Sequence, residues 1–345
     1  ALTDADMEFG TDVYYNSATS NLTEGMRHFH NLGVKKVLIL AAARAARRGG
    51  LGRNNGGGKT EKLALMDLAC GKGGDLSKWL DAEFTHVLGV DVSNDCLDNP
   101  TNGAWARYVG YRRAPPQTHE RDGRRRPEQA VTLNALFFQA DSRLNLRTGR
   151  AVGDNTESKE ILQCIFREGR DRDLAVARAP RDGRIAMAQR AGVSPMCGVG
   201  RDGFHVTSCQ FALHYMFQSA RTLRQFLRNI AECTAIGGYF VATYYNGNAV
   251  YQQLRGLEKG EYIREPPLPK GVREGDANAP AAIWFIKKQY RNDGGRQIPT
   301  GEDSLGMAID VFQESINQTL TEYLVNQDFL ETELGRFGFA VPDPR

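Results

Sequence analysis

Phe211, His214 and Tyr215 crowd into one short run, Phe204-His-Val-Thr-Ser-Cys-Gln-Phe-Ala-Leu-His-Tyr-Met-Phe217. Two aromatic faces four residues apart can stack a flat base, with the imidazole between them offering a ring nitrogen to its edge. The same spacing also serves an ordinary apolar core. A second run, Leu65-Met-Asp-Leu-Ala-Cys-Gly-Lys-Gly-Gly-Asp-Leu76, places glycines where an apolar stretch of strand length gives way to a helix. Backbone N–H groups and the positive helix end then face the crevice at the carboxyl edge of a sheet. Glycine lets the chain approach a ligand there without a Cβ in the way. A dinucleotide fold wants G-x-G-x-x-G, which Gly71-Lys-Gly-Gly74 lacks. Asp91 ends the next apolar run 20 positions after Gly71, where a carboxylate can accept both hydroxyls of a ribose. Ala140-Asp141-Ser142 ends the third.

Other chemistries find little footing. Gly58-Lys59-Thr60 looks like the end of a phosphate loop, but the pattern needs glycine where Arg53 stands, and no strand precedes it. The chain has no H-E-x-x-H and no cysteine cluster, so no metal is expected. Its six cysteines never form a C-x-x-C pair, and Cys70 and Cys209 lie in apolar runs. Such usage predicts a reduced, intracellular protein. The apolar stretch Val37 to Ala46 is broken by Arg44 and followed by Arg47 and Arg48, which spans no bilayer and makes no signal peptide. The first residue is alanine, as expected of a fragment of a longer polypeptide or a processed start.

The elements that must position these residues follow from pattern. Helical spacing runs from Asn21 to Ala46 with a break expected at Gly33, then a loop over Arg47 to Thr60. Strands are predicted at Leu63 to Ala69, His86 to Val90, Leu133 to Gln139, Phe204 to Cys209 and Tyr239 to Tyr244. Helices are predicted from Asp75 to Leu80 and from Ala220 to Ala235, the latter with Leu223, Phe226, Leu227 and Ile230 on one face. Strands alternating with helices imply a mainly parallel sheet covered on both faces. Two stretches interrupt that rhythm and read as insertions. Tyr111 to Pro127 holds six arginines against Glu120 and Asp122, and Arg167 to Asp202, within Leu146 to Gly203, holds eight arginines against five acids. A solvated loop or an RNA-phosphate contact is open for the first. The whole chain, 345 residues with 44 Lys+Arg against 41 Asp+Glu, is too evenly charged for a histone-like arm, so nucleic acid requires a local basic surface.

Ser208-Cys-Gln-Phe-Ala-Leu-His-Tyr215 resembles the S-x-Q-F-x-x-H-Y signature of the mRNA cap guanine-N7 methyltransferases. Leu68-Ala-Cys-Gly-Lys-Gly-Gly-Asp-Leu76 resembles that family's D-L-G-C-G-K-G-G-D-L, with Ala69 replacing the first glycine. Met26-Arg-His-Phe-His-Asn31 is similar to its R-x-F-x-N segment, Gly237-Gly-Tyr-Phe-Val-Ala-Thr243 to G-G-Y-F-I-G-T, and Thr321-Glu-Tyr-Leu-Val325 to P-E-Y/F-L-V. The resemblance runs from Tyr14 over nearly the whole chain. The insertions, with Ala308 to Ile316, are most similar to the methyltransferase domain of multifunctional capping enzymes of large DNA viruses.

The resemblance implies an α/β class I S-adenosylmethionine-dependent fold, Rossmann-like, with a mainly parallel seven-stranded sheet and helices on both faces. Residues 1–60 would form a helical cap with a glycine-rich loop, and 61–345 the methyltransferase domain with insertions at 111–127 and 146–203. Asn31, Asp67, Gly71, Lys72, Gly73, Asp91, Asp141, Ser142 and Gln210 would hold the methyl donor, Lys72 at its carboxylate and Asp67 at its ammonium group. Phe211 and Tyr215 would sandwich the cap guanine while His214 and Glu322 bond its edge. Arg27, Lys35 or Lys36, and Lys78 would meet the cap triphosphate. One extra residue separates Asn31 from the lysines, so either lysine can match, and no counterpart is evident for the family's C-terminal aromatic over the guanine.

Methyl transfer to guanine N7 in GpppRNA, leaving S-adenosylhomocysteine, needs no acid, base or metal, because N7 has a free lone pair. The partners implied are the capped RNA 5′ end, fused or associated triphosphatase and guanylyltransferase modules, and a possible activating subunit, in the host cytoplasm or a viral factory if the source is viral and in the nucleus otherwise. A silent methyltransferase-fold subunit and a small-molecule methyltransferase are the alternatives.

Overall fold

The computed structural model describes residues 24–52, 62–113, 120–121, 124–125, 132–166, 193–273, 275–291, 295–314 and 316–342. Gly58-Lys59-Thr60 and most of both arginine-rich stretches lie outside them. Of the described residues, 34–210 and 229–242 form one compact unit, and 24–33, 211–228 and 243–342 a second.

The first unit is built on a sheet of β1 (Ala64–Leu68), β2 (His86–Asp91), β3 (Asn134–Gln139), β4 (Phe204–Gln210) and β5 (Thr234–Thr243), in the order β3-β2-β1-β4-β5. β1 runs parallel to both β2 and β4, and β2 parallel to β3. Every residue of β1 and β2 is buried, which is why both read as unbroken apolar runs rather than alternating ones. After β3 the chain returns to the other side of β1, so the strand order reverses between β1 and β4. That reversal opens a crevice at the carboxyl ends of the strands.

Helices α1 (Lys36–Arg48), α2 (Leu76–Asp81), α3 (Asn94–Asp98), α4 (Ala104–Arg113), α5 (Thr156–Phe166) and α6 (Ala220–Cys233) accompany this sheet in sequence. Ile39, Ala42, Ala43 and Ala46 form the buried stripe of α1, and Leu223, Phe226, Leu227 and Ile230 are fully buried on α6, on the predicted face.

In the second unit β6 (Tyr262–Glu265), β7 (Trp284–Lys288), β8 (Ala308–Gln313) and β9 (Gln318–Tyr323) form a separate antiparallel sheet in the order β9-β8-β7-β6. Ile309 and Val311 on β8, with Ile263 and Ile286, pack against Tyr251 and Leu254 of α7 (Gly247–Leu254) and against Tyr290, Met307 and Leu324. Asn326 caps α8 (Gln327–Arg336), its side chain accepting from the Phe329 N–H.

The Rossmann-like class holds, but the seven-stranded sheet does not: among the described residues the mainly parallel sheet has five strands. The strands that end the chain alternate buried and open residues and pair with one another instead. Gly33 does not break a helix. It lies inside a π-helical stretch, Phe29–Lys35, between a short α-helix at Glu24–His28 and α1. Part of the predicted insertion at 146–203 is ordered as α5, and Cys164 and Cys197 are disulfide-bonded, which corrects the expectation of six reduced thiols. Cys70, Cys96, Cys209 and Cys233 are free and buried. No helix among the described residues is long and apolar enough to cross a membrane.

Candidate active site

β1 delivers the chain into a left-handed turn, with φ of 66° at Ala69, 53° at Gly71 and 66° at Gly73. Only glycine enters that region freely, and an alanine there costs about 1–2 kcal/mol. Ala69 holds that conformation under strain. Asp91 latches the turn from the end of β2: one carboxylate oxygen accepts from the Gly71 N–H at 2.7 Å and the other from the Ser93 N–H at 2.9 Å. Between them the two oxygens keep acceptor capacity for a ligand. Burial pushes the Asp91 carboxyl up, against the pull of those N–H bonds.

Asp67, on β1, is fully buried, and its Oδ1 has no hydrogen-bond partner among the described residues. Burial and then the charge of Asp75 raise its carboxyl well above the usual range, opposed by Lys35 and Lys78. A buried acceptor of this kind wants a donor, and a ligand cation supplies one. Lys72, also buried, is held by Asn102 Oδ1 at 3.0 Å and by Asp95 at 3.2 Å. Asp141 receives the fork of Arg143, with Nε at 2.9 Å and Nη2 at 3.0 Å. The Ser142 carbonyl accepts from Asn229 on α6, and Gln210 Nε2 donates to Ser208 Oγ.

The lysines expected at the phosphates are occupied with carboxylates, whereas the buried Nε of Arg27 has no hydrogen-bond partner among the described residues. Lys35 and Lys78 both pair with Asp75, at 3.1 and 2.8 Å, and Lys36 pairs with Asp81 at 2.7 Å. The π-helical stretch bears on the choice between Lys35 and Lys36, because its wider turn takes up one extra residue. Lys35 is the more buried of the two. Asn31 and Arg27 belong to the second unit, where the Asn31 amide donates to the Arg27 carbonyl.

The predicted base-binding residues sit in the second unit. Phe211 has φ of 57°, a conformation that costs about 1–3 kcal/mol and persists only where the surroundings impose it. Its N–H is bonded to both the carbonyl and the hydroxyl of Thr243, and its ring meets His30 at 4.8 Å. His214 lies between two phenols, Tyr215 at 4.3 Å tilted by 59° and Tyr245 at 5.8 Å inclined by only 30°. Glu322, on β9 opposite Ile309, brings Oε1 to 3.5 Å from His214 Nε2.

Neither nitrogen of His214 and not Oε2 of Glu322 has a hydrogen-bond partner among the described residues, although all three atoms are buried. Burial holds the imidazole neutral, its pKa lowered to about 3, and raises the Glu322 carboxyl to about 8. A planar ligand presenting adjacent N–H donors and an acceptor would satisfy Glu322 and one imidazole nitrogen.

The structure therefore gathers Phe211, His214, Tyr215 and Glu322, and separately gathers Asp67, Gly71, Gly73 and Asp91. It adds Asn102, Asp95, Arg143, Thr243 and Tyr245, which sequence reasoning missed. Arg143 had a weak signal, two positions from Asp141; Tyr245 had none. Among the described residues no group of three His, Cys, Asp or Glu could hold a metal ion.

Known proteins resemble this chain over much of its length. The profile of the mRNA (guanine-N(7))-methyltransferase domain matches residues 12–167 and 198–264. A probable mRNA-capping enzyme of Acanthamoeba polyphaga mimivirus is 25% identical over 334 residues, 93% of this chain and 21% of that protein. An mRNA cap guanine-N(7) methyltransferase of Aspergillus clavatus is 25% identical over 77% of this chain and 43% of its own length. The chain thus spans less than half of either relative. Among solved structures, an S-adenosylmethionine-dependent methyltransferase from Clostridium acetobutylicum aligns with a TM-score of 0.41 and 9% identity, covering 91% of this chain and 86% of that one. The profile takes in the glycine turn, Asp91, Asp141 and the Phe211–Tyr215 run, well over half of the sequence, and the chain belongs to the mRNA (guanine-N(7))-methyltransferase domain family.

Proposed function

We propose that this chain transfers a methyl group from S-adenosylmethionine to N7 of the guanine that caps GpppRNA. The observation that carries the reading is the group of three unbonded, buried polar atoms on His214 and Glu322, flanked by aromatic rings. Each costs about 1–3 kcal/mol while unsatisfied, and a guanine edge offers partners to Glu322 and to one imidazole nitrogen. Glu322, once ionised, accepts from N1–H and the exocyclic amine, and a His214 N–H is available to O6. The family membership supports the same base.

The residues around the glycine turn fit the methyl donor, since the unbonded Asp67 oxygen suits its ammonium group and Asp91 retains lone pairs for its ribose. Gly71, Gly73, Asp141 and Gln210 would complete its cradle. When bound, S-adenosylmethionine supplies a methyl group already activated by a sulfonium charge. N7 presents an in-plane lone pair and no proton, so the protein is asked for alignment rather than for a base, worth up to about 7–11 kcal/mol when well oriented. As N7 acquires positive charge, an ionised Glu322 on the opposite edge gains attraction for the ring, which favours the transition state over the ground state. By the same reading the chain works on capped RNA beside triphosphatase and guanylyltransferase activities, inside the cell, a proposal supported by the similarity of most of its length to part of a probable mRNA-capping enzyme.

The deciding experiment offers GpppG-ended and m7GpppG-ended RNA with labelled donor. Label should enter only the first; equal incorporation into both would overturn the N7 assignment. Phe211→Ala should weaken capped-RNA use about 5- to 150-fold, the range of one lost base stack, while donor affinity holds.

A further inference from the structure

In the sequence reading the guanine pocket has an aromatic on each side, Phe211 and Tyr215. The geometry of Tyr215 in the second unit is unequal to that task. Hydrogen bonds to an imidazole nitrogen and to the edge of a base both lie in the ring planes, so a guanine bonded to His214 tends toward the plane of His214. A ring able to stack on the guanine must then lie roughly parallel to His214. Tyr215 is tilted from it by 59°, whereas Tyr245 is inclined by only 30°, its centroid 5.8 Å from that of the imidazole. Tyr245 also retains partial exposure, while His214 is closed off.

Tyr245 is pinned where it stands. Its hydroxyl oxygen accepts from Gln313 Nε2 at 3.1 Å, on the strand beside the one that carries Glu322. The next residue, Asn246, caps α7 by accepting from the Ala249 N–H. Gly247 then passes so near Val325 that a Cβ would fall 2.2 Å from its carbonyl oxygen, only three positions after Glu322. Burial and the charge of Glu322 together push the phenol up, so Tyr245 stays a neutral ring facing that carboxylate at any working pH.

Taking guanine as the base bound by His214 and Glu322, we propose that Tyr245, held by Gln313, is the wall against which it stacks. Tyr245 is a specificity-determining residue with no counterpart in the motifs read from the sequence. A phenol parallel to the base is worth about 1–3 kcal/mol of stacking, hence about 5- to 150-fold in affinity.

The test is calorimetric titration of GpppG into the full chain saturated with S-adenosylhomocysteine, for wild type, Tyr245→Ala and Tyr245→Phe. Tyr245→Ala should weaken GpppG about 5- to 150-fold while S-adenosylhomocysteine affinity stays within twofold, and Tyr245→Phe should restore GpppG to within about threefold of wild type. Equal GpppG affinity in Tyr245→Ala and wild type would overturn the wall. So would a phenylalanine variant as weak as the alanine one, which would make the hydroxyl and not the ring the active part, or a parallel loss of both ligands, which would make Tyr245 merely structural. A wild-type chain that binds S-adenosylhomocysteine but not GpppG would instead overturn the guanine reading itself.

Discussion

Glu322 stays protonated over much of the neutral range, because burial raises its carboxyl to about 8. Only the ionised form accepts from both guanine donors, so kcat/KM for capped RNA should rise with pH through about 8. The bound base favours the charged form, so kcat should level off at lower pH than kcat/KM, and Glu322→Gln should erase the limb. The sign for stability is opposite. A carboxyl raised above its unfolded value stabilises the fold fully below about pH 4.5, and that contribution is lost as pH rises through about 8. Glu322→Gln should therefore melt higher than wild type at pH 9, by about 2–4 °C for each kcal/mol recovered.

Ala69 yields a second prediction at this scale. Ala69→Gly releases a left-handed alanine at φ 66°, and the urea midpoint should report about 1 kcal/mol of added stability. Phe211 and His214 were legible in the sequence because their spacing places chemistry on one turn. Tyr245 was not, since Thr243-Tyr-Tyr-Asn246 has no period of its own and its partner Gln313 comes from a distant strand.

Among the elements, the parallel strands were legible because burial on both faces leaves an unbroken apolar run. The second sheet was hidden for the opposite reason. Its strands mix charged and aromatic residues, as in Trp284–Lys288, and only the antiparallel register shows that Ile309, Val311 and Ile286 share a face. The π-helical stretch was invisible as well: Gly33 signalled a break, yet the backbone absorbs it by widening one turn. On β7, Lys288 is fully buried, its ammonium donating to the carbonyls of Leu254 and Leu257 at the end of α7. Lys288→Met keeps the stem but removes a charged donor from both carbonyls, while the Leu257 N–H still reaches the Leu254 carbonyl, so chemical denaturation should show a loss of about 1–3 kcal/mol.

At the scale of the whole molecule, composition predicted six thiols in a reduced state, and Cys164 and Cys197 depart from it, 33 positions apart. No C-x-x-C spacing announces the pair; it depends on α5 returning to the 193–199 segment, where the Gly198 N–H also bonds the Cys164 carbonyl. Thiol counting on denatured, unreduced protein should find four free groups, and reduction should lower stability by about 3–4 kcal/mol on a chain-entropy estimate. Six free thiols in protein taken from a reducing compartment would restore the original expectation.

The latch between Asp91 and Gly71 reaches across 20 positions of sequence, and it is made entirely by the protein's own atoms. The glycine turn is therefore held in its receiving shape by the fold itself, and the methyl donor does not have to organise it on arrival. Donor capture should then carry little ordering entropy, and its heat-capacity change should reflect buried apolar surface alone rather than the folding of a loop.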